Sequence, residues 1–333
     1  MSLRGMAALP ALLVAAAMTA CSSGADGDAG TPPDVSAADL CVNSDCGERT
    51  ILLDIPGAEN LTFAPDGRLF VSGGGGVFEI LKNDGGAFRM VQIAPEARGY
   101  TGLAIRNEVL YAISGDGGVW AAALNAAPHL RRIHDMSGMC IANGTAVGAD
   151  GALYVVDEPL NLCVPDPKIK RLRLADNDPF TVVEESVWVQ GSPLGLLSFG
   201  VGNTLRFPNG LQADGNRFYG TDGGSIYTVD LQPDGSAGPV TPIYFTVDVH
   251  DDLGLVDGGV LLADFLTGRI SLLSREGKLL QATLPGTFTF PSSVRMGRPP
   301  MFEPTDIVVT ETGVLVDQSL PLDHLSVFRR KAD

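Results

Sequence analysis

The sequence predicts an all-β chain of six repeated units, and three observations carry that prediction. Short apolar strands open on a small polar or charged cluster at Glu59-Asn60-Leu61, Thr101-Gly102-Leu103, Asn143-Gly144-Thr145, Asn209-Gly210-Leu211, Asp251-Asp252-Leu253 and Ser292-Ser293-Val294. The intervals between these openings are 41 or 42 residues, apart from one of 66 between Asn143 and Asn209. Beyond an N-terminal apolar segment, no stretch holds a 3.6-residue apolar period, so helices are not expected in the folded part. A repeat of about 40–45 residues is the length of a four-stranded propeller blade, and such blades stand radially with their first strands around a central channel. The expected fold is a six-bladed β-propeller of four-stranded antiparallel blades.

Arg4 precedes the apolar run Met6 to Met18, and Thr19-Ala20-Cys21 follows, so residues 1–20 read as a secretory signal. A signal ending on a cysteine resembles the lipobox of bacterial lipoproteins, which implies that Cys21 is lipidated and becomes the mature N-terminus. Met18 departs from the Leu usual three residues before that cysteine, and Ser22 after it implies the outer membrane. Residues 21–48, rich at first in Gly, Ala, Asp and Pro, are expected to form a flexible tether, and residues 49–333 the propeller. Thr50-Ile51-Leu52-Leu53-Asp54-Ile55 has no partner before it, while the last repeat offers only three strand candidates. Pairing that N-terminal strand onto the last blade seals the ring and removes two edges.

Within each repeat the opening cluster leads to a strand, a glycine-containing turn and a second strand, most clearly in Thr62 to Val71 around Asp66-Gly67. Asp150-Gly151 and Asp257-Gly258 repeat that hairpin signal. Third strands follow at Val77-Phe78-Glu79-Ile80, Ile226-Tyr227-Thr228-Val229 and Ile270-Ser271-Leu272-Leu273, and Phe88 to Ile93 fits an outer edge. The longer third interval places its extra residues between Asp157 and Phe207, where they read as lengthened rim loops; a degenerate seventh blade there lacks both an opening cluster and an Asp-Gly turn.

Apart from Cys21 there are four cysteines, which permit three pairings. Proximity favours Cys41 with Cys46, and location in the third repeat favours Cys140 with Cys163. No CxxC and no close histidine pair supports a zinc cluster instead. The formal net charge of −16 argues against nucleic acid and against electrostatic attachment to anionic membranes, so the lipid is the expected membrane contact and the protein a monomer.

The strand openings also carry the candidate chemistry. In a propeller, side chains at one repeat position converge on the axis at one rim, so Glu59, Asn143, Asn209 and Asp251 form a ring of oxygen donors. Two carboxylates and two amide carbonyls suit calcium, with magnesium, manganese and zinc as the other candidates. The alternative role for such residues is to cap turns.

Pro208-Asn209-Gly210-Leu211 leading to Phe218-Tyr219-Gly220-Thr221-Asp222, Asp251-Asp252-Leu253 leading to Leu262-Ala263-Asp264, and Glu59 opening the first blade resemble the senescence marker protein/gluconolactonase (regucalcin-like) superfamily. Paraoxonases are more distant relatives, and the resemblance spans Ile51 to Phe328. It implies one divalent cation, usually calcium, bound by Glu59, Asn143, Asn209 and Asp251, and hydrolysis of lactones or other small esters. Asp252 stands where paraoxonases have a further amide ligand. Such a cation polarises an ester carbonyl, and Asp251 or Asp252 is the candidate base for water.

Tyr100 and Thr101 occupy the second-blade place where lactone-hydrolysing relatives often hold substrate with Arg, Asn or His. Strand alternation turns His250 away from the face of Asp251, so it reads as a buried structural histidine, and His129, His134 and His324 as surface residues. Gly191-Ser192-Pro193-Leu194-Gly195 has the wrong spacing for a nucleophile elbow, which sets aside a covalent serine hydrolase. The second functional class is a non-catalytic, NHL-like propeller that binds a ligand or partner at the cell surface.

Overall fold

The structure is a computed structural model that describes residues 35–94, 98–125, 127–160, 166–192, 203–312 and 323–331. The signal segment with Cys21 lies outside them. Among the described residues the strands form six antiparallel sheets of four. Blade 1 comprises Leu61–Phe63, Leu69–Gly73, Gly76–Lys82 and Phe88–Gln92; blade 2 comprises Tyr100–Arg106, Val109–Ser114, Gly118–Ala123 and Arg131–Asp135. Blade 3 runs through Ile141–Val147, Leu153–Glu158, Lys168–Ala175 and Asp178–Gln190, and blade 4 through Pro208–Asp214, Arg217–Asp222, Ser225–Asp230 and Thr241–Phe245. Blade 5 is His250–Val256, Gly259–Asp264, Arg269–Ser274 and Leu279–Ala282. Blade 6 combines Pro291–Met296, Ile307–Glu311 and His324–Arg330 with Gly47–Asp54 from the N-terminal side.

Each blade is a local meander because its turns suit tight reversal. Gly67, Gly151 and Gly258, the glycines of the three Asp-Gly signals, have φ of 86°, 74° and 71°, a region that costs glycine little. Burial falls from the inner strands outward, so that His250–Val256 is buried throughout whereas Phe88–Gln92 is mostly exposed. The apolar core lies between blades: Tyr100, Leu103 and Trp120 pack with Phe70 and Val77 of blade 1. No seventh blade is present among the described sheets. Part of the insertion extends the third and fourth strands of blade 3, the latter to 13 residues, and residues 161–165 and 193–202 lie outside the described residues.

Gly47–Asp54 pairs antiparallel with His324–Arg330, the predicted closure, with its ends three residues and one residue earlier than expected at Thr50 and Ile55. Across the seal, Arg49 binds Glu311 in a fork, Nε to Oε1 and Nη2 to Oε2 at 2.8 Å each. The Glu311 side chain is fully buried and also accepts the Thr289 backbone N–H at 2.6 Å. Removing the guanidinium leaves a buried carboxylate unpaired. Arg49→Ala is expected to cost about 3 kcal/mol in thermal or urea unfolding; a change within experimental error would remove the seal from the account of stability.

The tether does not extend to residue 48 as predicted. Ser36 makes a parallel bridge to Asp257, the Ala37 N–H donates to Asp257 O at 2.8 Å, and Leu40, Cys41 and Val42 are buried among blade 5 and 6 side chains such as Ile270 and Phe328. Apolar burial against blades 5 and 6 outweighs the loose composition of the flanking stretch. Cys41 and Cys46 are joined as predicted. Cys140 is disulfide-bonded, while Cys163 lies outside the described residues.

Candidate metal centre

The opening residues share one backbone device. In blades 3, 4 and 5 the inner-strand register slips between Ala142 and Thr145, between Pro208 and Leu211, and between His250 and Leu253. In blade 1, Glu59 N–H donates to Ser72 O while Ser72 N–H donates to Asn60 O, both at 2.8 Å. One extra residue at the same place in each inner strand bulges the chain and re-aims its side chain. The glycine of each Asn-Gly pair is explained by the neighbouring blade rather than by a turn. A Cβ on Gly144 would lie 2.2 Å from Asn209 O, and one on Gly210 2.5 Å from Asp252 Oδ1.

Asn143, Asn209 and Asp251 come together, and Glu158 joins them from the second strand of blade 3. Asn143 Nδ2 donates to Glu158 Oε2 at 2.8 Å, and Asn209 Nδ2 to Asp251 Oδ1 at 2.8 Å and to Glu158 Oε1 at 3.5 Å. Glu59 is buried with them, and its charge acts on Asp251. The most exposed members of the layer, Asn209 and Asp251, are each only 8% accessible. Burial raises Asp251 well above the usual carboxylate range, and the charges of Glu59, Glu158 and Asp252 add to the rise. Burial likewise pushes Glu158 up to about 7, with Asp157 adding and the Asn143 hydrogen bond opposing.

Glu158 was not among the sequence candidates because it does not occupy the opening position. Its signal lies in the comparison of second-strand ends: Asp157, Asp222, Asp264 and Glu311 recur there, and only blade 3 follows with a second acid. The recurring acids are structural. Asp157 Oδ1 accepts the Cys140 N–H at 2.6 Å and pairs with the buried Lys168 at 2.9 Å. Asp264 takes His250 Nδ1 at 2.8 Å, Arg269 Nε at 2.7 Å and Ser271 Oγ at 2.5 Å. Burial would raise Asp264, but the His250 contact and charge, with Ser271 and Arg269, hold it below the usual value. His250 is thus the buried structural histidine expected. His134 and His324, expected at the surface, bond Glu185 at 2.7 Å and Asp54 at 2.9 Å; His129 is exposed.

The two aspartates proposed as bases have different partners. Asp252 Oδ2 accepts Ser293 Oγ at 2.7 Å, Asn60 Nδ2 at 2.9 Å and Arg295 Nη2 at 2.9 Å. Through Oδ2 it joins blades 1, 5 and 6 in a buried knot, while Oδ1 is buried without a hydrogen-bond partner among the described residues. Tyr100 and Thr101 do not form a polar rim. Tyr100 is buried against Trp120, ring centroids 5.8 Å apart, and Thr101 Oγ1 donates to Ala142 O at 2.6 Å. Apolar packing between blades claims the first and a backbone carbonyl the second.

The residues present suit a hard divalent cation. Among the described residues no three His, Cys, Asp or Glu side chains are placed to hold a metal by themselves, so the amides are needed. Each amide now turns its NH2 towards a carboxylate, and a half-turn of its terminal torsion presents oxygen instead. Neither Glu158 nor Asp251 has a cationic side-chain partner among the described ion pairs. An oxygen-only donor set with excess negative charge matches calcium or magnesium chemistry better than zinc.

No family model matches the sequence, and no curated protein matches it. Solved structures do. A calcium-binding protein, regucalcin, from Agrobacterium tumefaciens superposes with a TM-score of 0.63 at 15% identity, covering 87% of this chain and 95% of that one. A putative gluconolactonase gives 0.64 at 15% identity, over 90% and 98%. A gluconolactonase from Xanthomonas campestris gives 0.62 at 17%, over 92% and 96%. The chain therefore has the six-bladed propeller fold of the regucalcin and gluconolactonase-like proteins.

Proposed function

We propose that the protein is a divalent-metal-dependent hydrolase of lactones or small esters, acting at the layer formed by Glu59, Asn143, Glu158, Asn209 and Asp251. The observation that carries this reading is a buried cluster of carboxylates and amides in which Glu158 and Asp251 share the Asn209 amide and have no cationic partner among the described residues. Uncompensated buried carboxylates are costly, and a bound cation offsets that cost. The fold likeness to a calcium-binding protein and to gluconolactonases supports it. When bound, calcium would polarise the carbonyl and stabilise the oxyanion. Water, losing a proton to a carboxylate of the layer, adds to the carbonyl carbon; the C–O bond to the leaving oxygen then breaks, that oxygen takes the proton back from the carboxyl, and a hydroxy acid, or for an open ester an acid and an alcohol, leaves. Asp251 is the candidate for that proton, since it lies in the layer with Asn209, whereas Asp252 Oδ2 is tied to Arg295, Asn60 and Ser293. In this reading the N-terminal signal and Cys21 anchor a monomer to the cell envelope.

Thr101, bound to the backbone, favours a second reading, because its hydroxyl is then not free to hold a substrate. That reading is a binding propeller with a structural ion. The purified protein should be stripped with a chelator and assayed on a lactone panel with calcium, magnesium, manganese or zinc added back. We expect one bound ion per chain, no hydrolysis after stripping and recovery with calcium. Undiminished hydrolysis after stripping would overturn the metal mechanism; tight metal binding without hydrolysis of any ester would select the binding propeller.

A further inference from the structure

The mouth above the candidate centre is built from one repeat position whose occupants divide sharply. Two residues before each opening stand Gly57, Gly99, Ile141, Phe207, Val249 and Phe290. Their equivalence is structural. The N–H of Gly115, Gly223, Phe265 and Thr312 donates to the carbonyl of Gly99, Phe207, Val249 and Phe290 respectively, at 2.7 to 3.0 Å. The donor position reads Gly73, Gly115, Gly223, Phe265 and Thr312 in blades 1, 2, 4, 5 and 6. Blades 1 and 2 are therefore glycine at both positions, whereas blades 4, 5 and 6 present Phe207, Val249, Phe265 and Phe290.

These side chains are not core residues displaced by accident. Val249 is 39% exposed, and Phe207, Phe265 and Phe290 are partly exposed. Phe265 and Phe290 meet with ring centroids 5.1 Å apart. Phe290 has φ of 48°, a left-handed conformation unfavourable for a bulky residue. Strained residues of this kind cluster at ligand clamps. The apolar wall continues outward in Val247, 98% exposed, and Leu266, 58% exposed. On the opposite side, a Cβ at Gly99 would meet nothing within 4 Å among the described residues.

We infer that this one-sided collar is a subsite for an alkyl or aryl substituent, so that the substrate is a lipophilic lactone or ester rather than a polyhydroxylated one. The carbonyl would sit over the carboxylate and amide layer, with its apolar substituent along blades 4 to 6. The side chains of Phe207, Val249, Phe265 and Phe290 carry no hydrogen-bonding group for a hydroxyl, and an apolar chain laid against them removes area from water on both partners. This deepens the proposed hydrolase and rests on it for the reaction.

The test uses the calcium-loaded full chain and δ-lactones that are unsubstituted, alkylated with chains of increasing length, or polyhydroxylated. We expect kcat/KM to rise with chain length by about tenfold or more overall, with the polyhydroxylated lactone the poorest substrate. Phe265→Ser should lower the ratio between long-chain and unsubstituted lactones about tenfold. If that variant fails to fold, Val249→Ser, at an exposed position, should lower the same ratio in the same direction. Rates independent of chain length, or a ratio unchanged in the folded variants, would overturn the collar while leaving the hydrolase intact. Were no lactone hydrolysed, calorimetry with δ-lactams bearing the same chains decides: affinity rising with chain length supports the collar without the reaction, and flat or absent binding overturns it.

Discussion

Asp251→Asn is expected to abolish calcium-dependent stabilisation and to lower lactone hydrolysis by roughly a thousandfold, the effect of removing about 4 kcal/mol of transition-state stabilisation. It should do so while making the metal-free protein more stable. In the wild type, burial together with the charges of Glu59, Glu158 and Asp252 raises Asp251, and burial raises Glu158 to about 7. A carboxyl whose folded pKa lies above its unfolded one contributes stability that is fully present below the unfolded value and lost as pH rises through the folded value. For Glu158 that window runs from the ordinary 4.5 to about 7. Metal-free wild type should therefore lose thermal stability across this range, and saturating calcium should reverse the trend, adding about 4 kcal/mol at a thousandfold excess over Kd. Calorimetry at several pH values, with chelator or with calcium, reads both arms. A calcium-induced rise in Tm that survives in Asp251→Asn would take that residue out of the centre.

Asp252→Ala should instead damage the fold. It removes the acceptor of three donors and strands Arg295, whose side chain is 12% exposed, together with the buried Asn60 and Ser293. Breaking a buried pair on one side costs about 3–5 kcal/mol, which in a propeller of this size lowers Tm by roughly 10 °C. Asp252→Asn keeps the shape and part of the hydrogen bonding, so it should lose less stability and retain calcium binding. If Asp252→Asn loses hydrolysis as completely as Asp251→Asn while keeping both its Tm and its calcium, Asp252 is the base and the structural assignment is wrong.

The repeated openings determined the blade number and the inner-strand layer, because strands within a blade pair with their sequence neighbours and glycine turns mark where they reverse. The same local logic placed Thr50 to Asp54 in the last blade, where an unpaired strand and a missing edge complement one another. What the sequence did not determine depends on how blades are set around the axis. Glu158 reaches the layer from the second strand of blade 3, not at an opening. Asp252 finds Asn60, 192 residues away, once the ring closes, and Arg295, 43 residues on, takes the same oxygen. That knot gives one oxygen of a candidate base a structural task. Tyr100 was read as a rim residue, yet it is drawn into the apolar contact between blades 1 and 2. Local pairing and turn chemistry are written in the order of residues, whereas the partners of a buried charge are chosen by whichever side chains the closed ring brings within reach.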